Sequence, residues 1–255
     1  MIIEAHELVK SYGGFAALRG LSLQVPEGSV FALLGANGAG KTTLIKILLN
    51  IIGPTSGVVR VLGTDSRAMG PPLLAHIGYV SESQLLPRRL RVEEFFRYLR
   101  GCYRNWDRET EVALRRQLQL PAERRIGALS HGMRMKMALA CALPFRPRLL
   151  ILDEPFSGLD ALVREELVSG FLQRAQETTI FLSSHELDEV ERIATHVAFI
   201  DAGQLLFQGS IASLNAHAEP LLQAGATPGR QRAALRDVFI AMARRARAPA
   251  AATPP

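Results

Sequence analysis

The sequence predicts an α/β fold: a parallel sheet at the centre, an antiparallel β part at the N-terminal end and an α-helical insertion in the middle. Three observations predict it. The nonapeptide Gly35-Ala36-Asn37-Gly38-Ala39-Gly40-Lys41-Thr42-Thr43 follows the apolar run Ser29-Val30-Phe31-Ala32-Leu33-Leu34 and precedes Leu44-Ile45-Lys46-Ile47-Leu48-Leu49, which reads as strand, glycine loop and helix start. Leu149-Leu150-Ile151-Leu152 ends in Asp153-Glu154, and Thr179-Ile180-Phe181-Leu182-Ser183-Ser184 ends in His185. Apolar runs that end in charge fit buried parallel strands whose C-terminal tips open on a ligand site. Between them, from Val92 to about Ala142, the hydrophobic period becomes helical.

The loop fits the pattern G-x-x-x-x-G-K-[ST]. Its glycines let the backbone curl so that N–H groups point inward, and the helix N-terminus adds positive potential. Lys41 supplies a full charge, and Thr42 offers a hydroxyl to magnesium. Asp153, Glu154 and His185, at the tips of neighbouring parallel strands, would converge with this loop on one crevice.

Taken in order, Ile2 to Gly28 alternates apolar and polar residues around the turn signals Tyr12-Gly13-Gly14 and Pro26-Glu27-Gly28, which predicts antiparallel strands. Tyr12, beside the Gly-Gly turn, either covers a strand end or serves a site. The turn cluster Gly53-Pro54-Thr55-Ser56-Gly57 introduces a strand over Val58–Gly63. Ile77-Gly78-Tyr79-Val80 is a further short strand, ending in Ser81-Glu82-Ser83-Gln84. In the helical segment, Phe95, Phe96 and Leu99, then Val112, Leu114 and Leu118, predict amphipathic faces separated by Gly101 and Pro121. Val197–Ile200, Asp201-Ala202-Gly203 and Gln204–Phe207 predict a hairpin. After an irregular stretch from Asn215 to Gly229, Leu235, Val238, Phe239 and Met242 mark an amphipathic helix over 230–247, and 248–255 is Ala/Pro-rich and expected to be disordered.

The net charge of +6 divides unevenly: +1 over residues 1–87, +6 over 88–134, −6 over 135–229 and +5 over 230–255. A uniformly basic nucleic-acid binder would not divide this way, so no nucleic acid is expected as partner. Two basic patches suit an anionic membrane surface or an acidic partner, and the arginine-rich run in 88–134 reads by default as a solvated face. No apolar run reaches the roughly 18 residues of a membrane span, and the start lacks signal-peptide character, so a cytoplasmic protein is expected. Cys102 and Cys141 show no metal-ligand spacing and are expected to be reduced thiols.

The order of motifs over about residues 2–212 resembles the nucleotide-binding subunit of an ABC transporter. Leu129-Ser130-His131-Gly132-Met133 falls where that family places its LSGGQ signature, Ser157-Gly158-Leu159-Asp160 where it places the D-loop, and His185 where it places the switch histidine. Tyr12 matches the adenine-stacking aromatic, and Leu235-Arg236-Asp237-Val238-Phe239 is similar to the closing helix of exporter-type members. Arg104-Asn105-Trp106-Asp107 before the signature resembles bacterial subunits that pair with separately encoded membrane proteins.

The resemblance implies a P-loop NTPase fold with a RecA-like core over 2–229, a helical insertion at about 85–142, and ATP and Mg²⁺ as ligands. It implies ATP hydrolysis that powers transport, with export favoured over import, on the inner face of the cell membrane. Transmembrane permease subunits and a second ATP-binding subunit are the implied partners. Lys41 and the loop amides would hold phosphates, Thr42 and Asp153 would organise Mg²⁺, Glu154 would orient and deprotonate water, and His185 would contact the γ-phosphate. Ser130, with Gly132 and Asp160, would act across a dimer interface. A non-transport relative acting on ribosomes or nucleic acid is the alternative; neither tandem cassettes nor sustained heptads support it. The chain departs from the family pattern at His131 and Met133, which stand for glycine and glutamine, and at Ala161, which stands for proline. Glu82 stands where the Q-loop glutamine is usual, with Gln84 two residues later, so either would approach magnesium or the attacking water.

Overall fold

A computed structural model of the chain describes residues 1–83, 85–174, 178–214 and 235–247. Gln84, the irregular stretch 215–229, the first residues of the expected C-terminal helix and the 248–255 tail lie outside the described residues.

Two sheets organise the molecule. The first is antiparallel, with β1 (Ile3–Tyr12), β2 (Phe15–Val25), β4 (Ser56–Val61) and β5 (Thr64–Asp65) in the order β2-β1-β4-β5. The expected N-terminal antiparallel strands are its first pair. The Val58 strand joins them rather than the central sheet, because β4 pairs antiparallel with β1.

The second sheet combines β3 (Val30–Leu34), β6 (Ile77–Val80), β7 (Leu149–Asp153), β8 (Thr179–Ser184), β9 (His196–Asp201) and β10 (Gln204–Ser210) in the order β10-β9-β3-β8-β7-β6. Strands β9, β3, β8, β7 and β6 run parallel, and β10 folds back antiparallel as the predicted hairpin. All five residues of β3 are buried, for a simple reason: its two faces serve two different cores. Val30, Ala32 and Leu34 pack with the helices on one side, while Phe31 and Leu33 pack with the antiparallel sheet and α1 (Lys41–Leu48) on the other. Burial on both faces is what makes these strands continuously apolar.

Helices α2 (Pro71–Leu74), α3 (Val92–Cys102), α4 (Arg108–Gln117) and α5 (His131–Ala142) occupy the segment before β7. Gly101 does not separate two helices as expected; it lies in the last turn of α3, and the chain breaks instead between Tyr103 and the cap Asp107, whose Oδ1 accepts from the Glu109 and Thr110 amides. Helices α6 (Ala161–Arg174), α7 (Leu187–Ile193) and α8 (Leu235–Arg247) follow. Leu235, Val238 and Met242 of α8 are buried, and Phe239 meets Phe199 at 5.3 Å between ring centroids, so its apolar stripe docks on the body of the protein. No helix among the described residues is long and apolar enough to cross a membrane.

Candidate functional site

The site forms where β3, β8 and β7, neighbours in the sheet, end together. The turn out of β3 is too crowded for side chains. A Cβ on Gly35 would come 2.4 Å from the Ile200 carbonyl oxygen, and one on Gly40, whose φ is +108°, would come 2.6 Å from that of Ala17. The turn is closed by the Ala39 amide donating to Ala36 O at 3.1 Å, and Gly40 leads directly into the first turn of α1.

Lys41 is buried, and its ammonium is turned back under the loop. Nζ donates to Gly35 O at 2.7 Å and Ala36 O at 3.2 Å, and lies 2.9 Å from Glu154 Oε1. The last contact is one of charge without hydrogen-bond alignment, since Glu154 Oε1 has no hydrogen-bond partner among the described residues. Glu154 Oε2 faces His185 Nδ1 at 2.8 Å and accepts from the His185 amide at 3.3 Å. One buried carboxylate, following β7, therefore spans the lysine that starts α1 and the histidine that follows β8. Glu154 takes a left-handed backbone, φ +51°, a conformation that costs a residue with a side chain roughly 1–3 kcal/mol and that clusters at functional sites.

Asp153 is the register partner of Ser183 on β8. Ser183 Oγ donates to Asp153 Oδ1 at 2.6 Å and accepts from the Glu154 amide at 3.1 Å, while Thr42 Oγ1 donates to Asp153 Oδ1 at 3.3 Å. Burial raises the affinity of Asp153 for a proton, and the neighbouring Glu154 and Glu82 charges add to that; the Ser183 and Thr42 hydrogen bonds oppose it without reversing it. A hydroxyl and a buried carboxylate this close are hard oxygen donors, and a site with one such carboxylate suits Mg²⁺ that takes its remaining ligands from phosphates and water.

A cleft of about 440 Å³ opens above these groups. The glycine loop and first turn of α1 line it through Asn37, Gly38, Gly40, Lys41, Thr42 and Thr43, joined by Glu82, Glu154, Ser157 and His185 and, from the antiparallel sheet, by Tyr12, Phe15 and Ala17. Tyr12 and Phe15 are register partners across the Gly13-Gly14 turn, and both rings are exposed. Lys10 Nζ sits 5.0 Å from the Tyr12 ring centroid. Glu82 reaches the cleft and accepts from Ser157 Oγ at 3.1 Å. Ser130, Gly132 and Asp160 do not line this cleft: Ser130 caps α5 by accepting from the Met133 amide, Gly132 packs towards Val163, and Asp160 accepts from the Val163 amide at the start of α6.

Sequence reasoning did not single out three residues that the structure brings in. Ser183 lay inside a quoted strand, and only its register with Asp153 reveals it. Phe15 carried a legible signal, a second aromatic across the Gly-Gly turn from Tyr12. Ser157 shows in the sequence only as part of the D-loop match.

A parallel sheet with a lysine-bearing glycine loop, an Asp-Glu strand tip and a histidine on adjacent strands defines the P-loop NTPase class. The family model described as ABC transporter matches residues 18–157, and the chain belongs to that family. The chain is 38% identical over 222 residues to the sulfate/thiosulfate import ATP-binding protein CysA of Bradyrhizobium diazoefficiens, covering 82% of this chain and 64% of that relative. It is 34% identical over 218 residues to the bacitracin transport ATP-binding protein BcrA of Enterococcus faecalis, covering 84% of this chain and 71% of the relative. A solved structure described as an ATP binding subunit of an ABC transporter superposes with a TM-score of 0.82 at 26% identity, over 95% of this chain and 100% of the other. The chain thus spans less than two thirds of the CysA relative's length. The names of the relatives cover both directions, since a Nod factor export ATP-binding protein of Rhizobium leguminosarum is 35% identical over 208 residues.

Proposed function

We propose that this chain binds and hydrolyses ATP as the nucleotide-binding subunit of an ABC transporter. The observation that carries the reading is the convergence of Lys41, Thr42, Asp153, Glu154 and His185 on one cleft. Phosphoryl transfer needs positioning and charge neutralisation more than covalent chemistry, and these residues supply both. Loop amides and Lys41 hold the β- and γ-phosphates; to do so Lys41 exchanges the Glu154 carboxylate for phosphate oxygens. Thr42 and Asp153 hold Mg²⁺, which when bound neutralises charge on the phosphates. Glu154, released from Lys41, orients water and receives its proton on a carboxylate oxygen, with the His185 ring and amide fixing the plane of that carboxylate. His185 also meets the γ-phosphate. Tyr12, joined by Phe15, stacks the base at the rim.

Ser130 and Gly132 sit away from their own cleft, which fits a site completed by the signature of a second subunit. Permease subunits are the further partners, and the inner face of the membrane is the place of work. An apolar groove of about 540 Å³, lined by Tyr79, Ser81, Leu85, Leu86, Phe95 and Phe145, is the surface we assign to them. Export is favoured by the docked C-terminal helix. The test is Glu154→Gln: nucleotide binding within about twofold of wild type, with turnover reduced by at least about 10²-fold, as loss of a general base requires. Retained turnover would remove Glu154 from its role.

A further inference from the structure

His131 stands where the family signature carries glycine, and none of the roles above uses it. Its ring is anchored: Nε2 lies 3.0 Å from the carbonyl oxygen of Ser157, so Nε2 carries the proton and donates. The ring also lies against Gly158, 3.6 Å from where a Cβ would stand. Ser157 in turn donates its hydroxyl to Glu82 Oε1 at 3.1 Å, and both residues line the cleft. The turn that His131 grips begins at Glu154 itself, since the Ser157 amide donates to Glu154 O at 3.2 Å. His131 is the first residue of α5. A hydrogen-bonded chain therefore runs from the N-terminus of α5 through Ser157 to a carboxylate at the cleft. With glycine at position 131 the Ser157 carbonyl would lose its side-chain donor.

We propose that His131 is a positioning residue: its Nε2–H fixes the Ser157 carbonyl and, through the Ser157 hydroxyl, sets Glu82 at the nucleotide cleft of the same subunit. The signature helix is thereby tied to its own subunit's cleft as well as to a partner's. The inference rests on the ATPase reading above.

The test compares steady-state ATPase kcat and KM of the full chain for wild type, His131→Gln, His131→Leu, His131→Ala, Ser157→Ala and the His131→Ala/Ser157→Ala double variant. Binding of a fluorescent ATP analogue is recorded alongside. Gln carries an amide nitrogen to about the position of Nε2, whereas Leu fills the space without a donor. Loss of one hydrogen bond of typical worth predicts kcat about tenfold lower in His131→Leu and His131→Ala with KM within about twofold, and recovery in His131→Gln to within about threefold. The double variant should be no slower than the slower single variant, because both substitutions break one chain in series. Wild-type kcat in His131→Ala, no recovery in His131→Gln, or multiplicative loss in the double variant would overturn the proposal. A wild type that fails to bind the analogue removes the ATPase reading, and the proposal with it. In a wild type that binds without turnover, amide exchange across residues 155–160 decides. Faster exchange in His131→Ala and His131→Leu, restored in His131→Gln, supports the tie; unchanged exchange overturns it.

Discussion

Ser183 Oγ donates to Asp153 Oδ1 and accepts from the Glu154 amide, so one hydroxyl holds the side chain of one carboxylate residue and the backbone of the next. Among the described residues, Ser183→Ala leaves the Asp153 carboxylate with the longer Thr42 bond and removes one of two acceptors from the Glu154 amide, which keeps Ser183 O at 3.2 Å. The expected cost is about 1–2 kcal/mol, read as a lower urea midpoint at unchanged m, together with a several-fold fall in ATPase rate. Lys41 was legible from the glycine-loop pattern, and Asp153, Glu154 and His185 because each sits at a strand tip in a charged context that packing does not explain. Ser183 was not, because a serine in a buried strand acquires meaning only when the strand beside it is known.

The arginine-rich helical segment shows the same contrast between pattern and pairing. It reads as a solvated face, yet Glu111 of α4 is fully buried and takes bonds from Arg100 Nη2 at 2.6 Å, Arg115 Nη1 at 3.1 Å and Trp106 Nε1 at 2.8 Å. Arg100 and Arg115 also reach Glu93 on α3. Burial pushes the Glu111 carboxyl up, and the bonds from Arg100, Trp106 and Arg115 outweigh it, leaving the group below its usual range. A carboxylate whose affinity for protons falls on folding adds stability above its unfolded pKa, about 4.3, and loses it as pH drops through the lower folded value. Urea unfolding from pH 6 to about pH 3 should therefore show stability falling on the acid side of about pH 4. Glu111→Gln should flatten that part of the curve while lowering stability at pH 7 by about 1.5–3 kcal/mol, the worth of hydrogen bonds to a charged group, since Arg100 and Arg115 keep Glu93. Equal acid slopes in the two proteins would refute the assignment. Helical period located α3 to α5 in sequence; it carried no information on which charges face each other across them.

At the scale of the whole molecule, Ser130 and Gly132 do not line the cleft of their own chain, and the proposed two-subunit site makes a kinetic prediction. ATPase rate per subunit should rise with protein concentration and then level off; a rate independent of concentration would remove the two-subunit reading. The sheet order was less accessible than the fold class. Apolar runs announced parallel strands, but that the strand before the glycine loop lies between β9 and β8 follows from three-dimensional packing alone.

That placement has a consequence for biosynthesis. Every ladder partner of β3 lies far downstream: its neighbours begin at Thr179 and His196, and the Gly28 amide that leads into it bonds a threonine 151 residues away. During translation at about 5–20 residues per second, this wholly apolar strand therefore waits on the order of ten seconds or more, bare on both edges, before its partners emerge. The strand that launches the phosphate loop is made early and paired late, an exposure of the kind that holding chaperones cover.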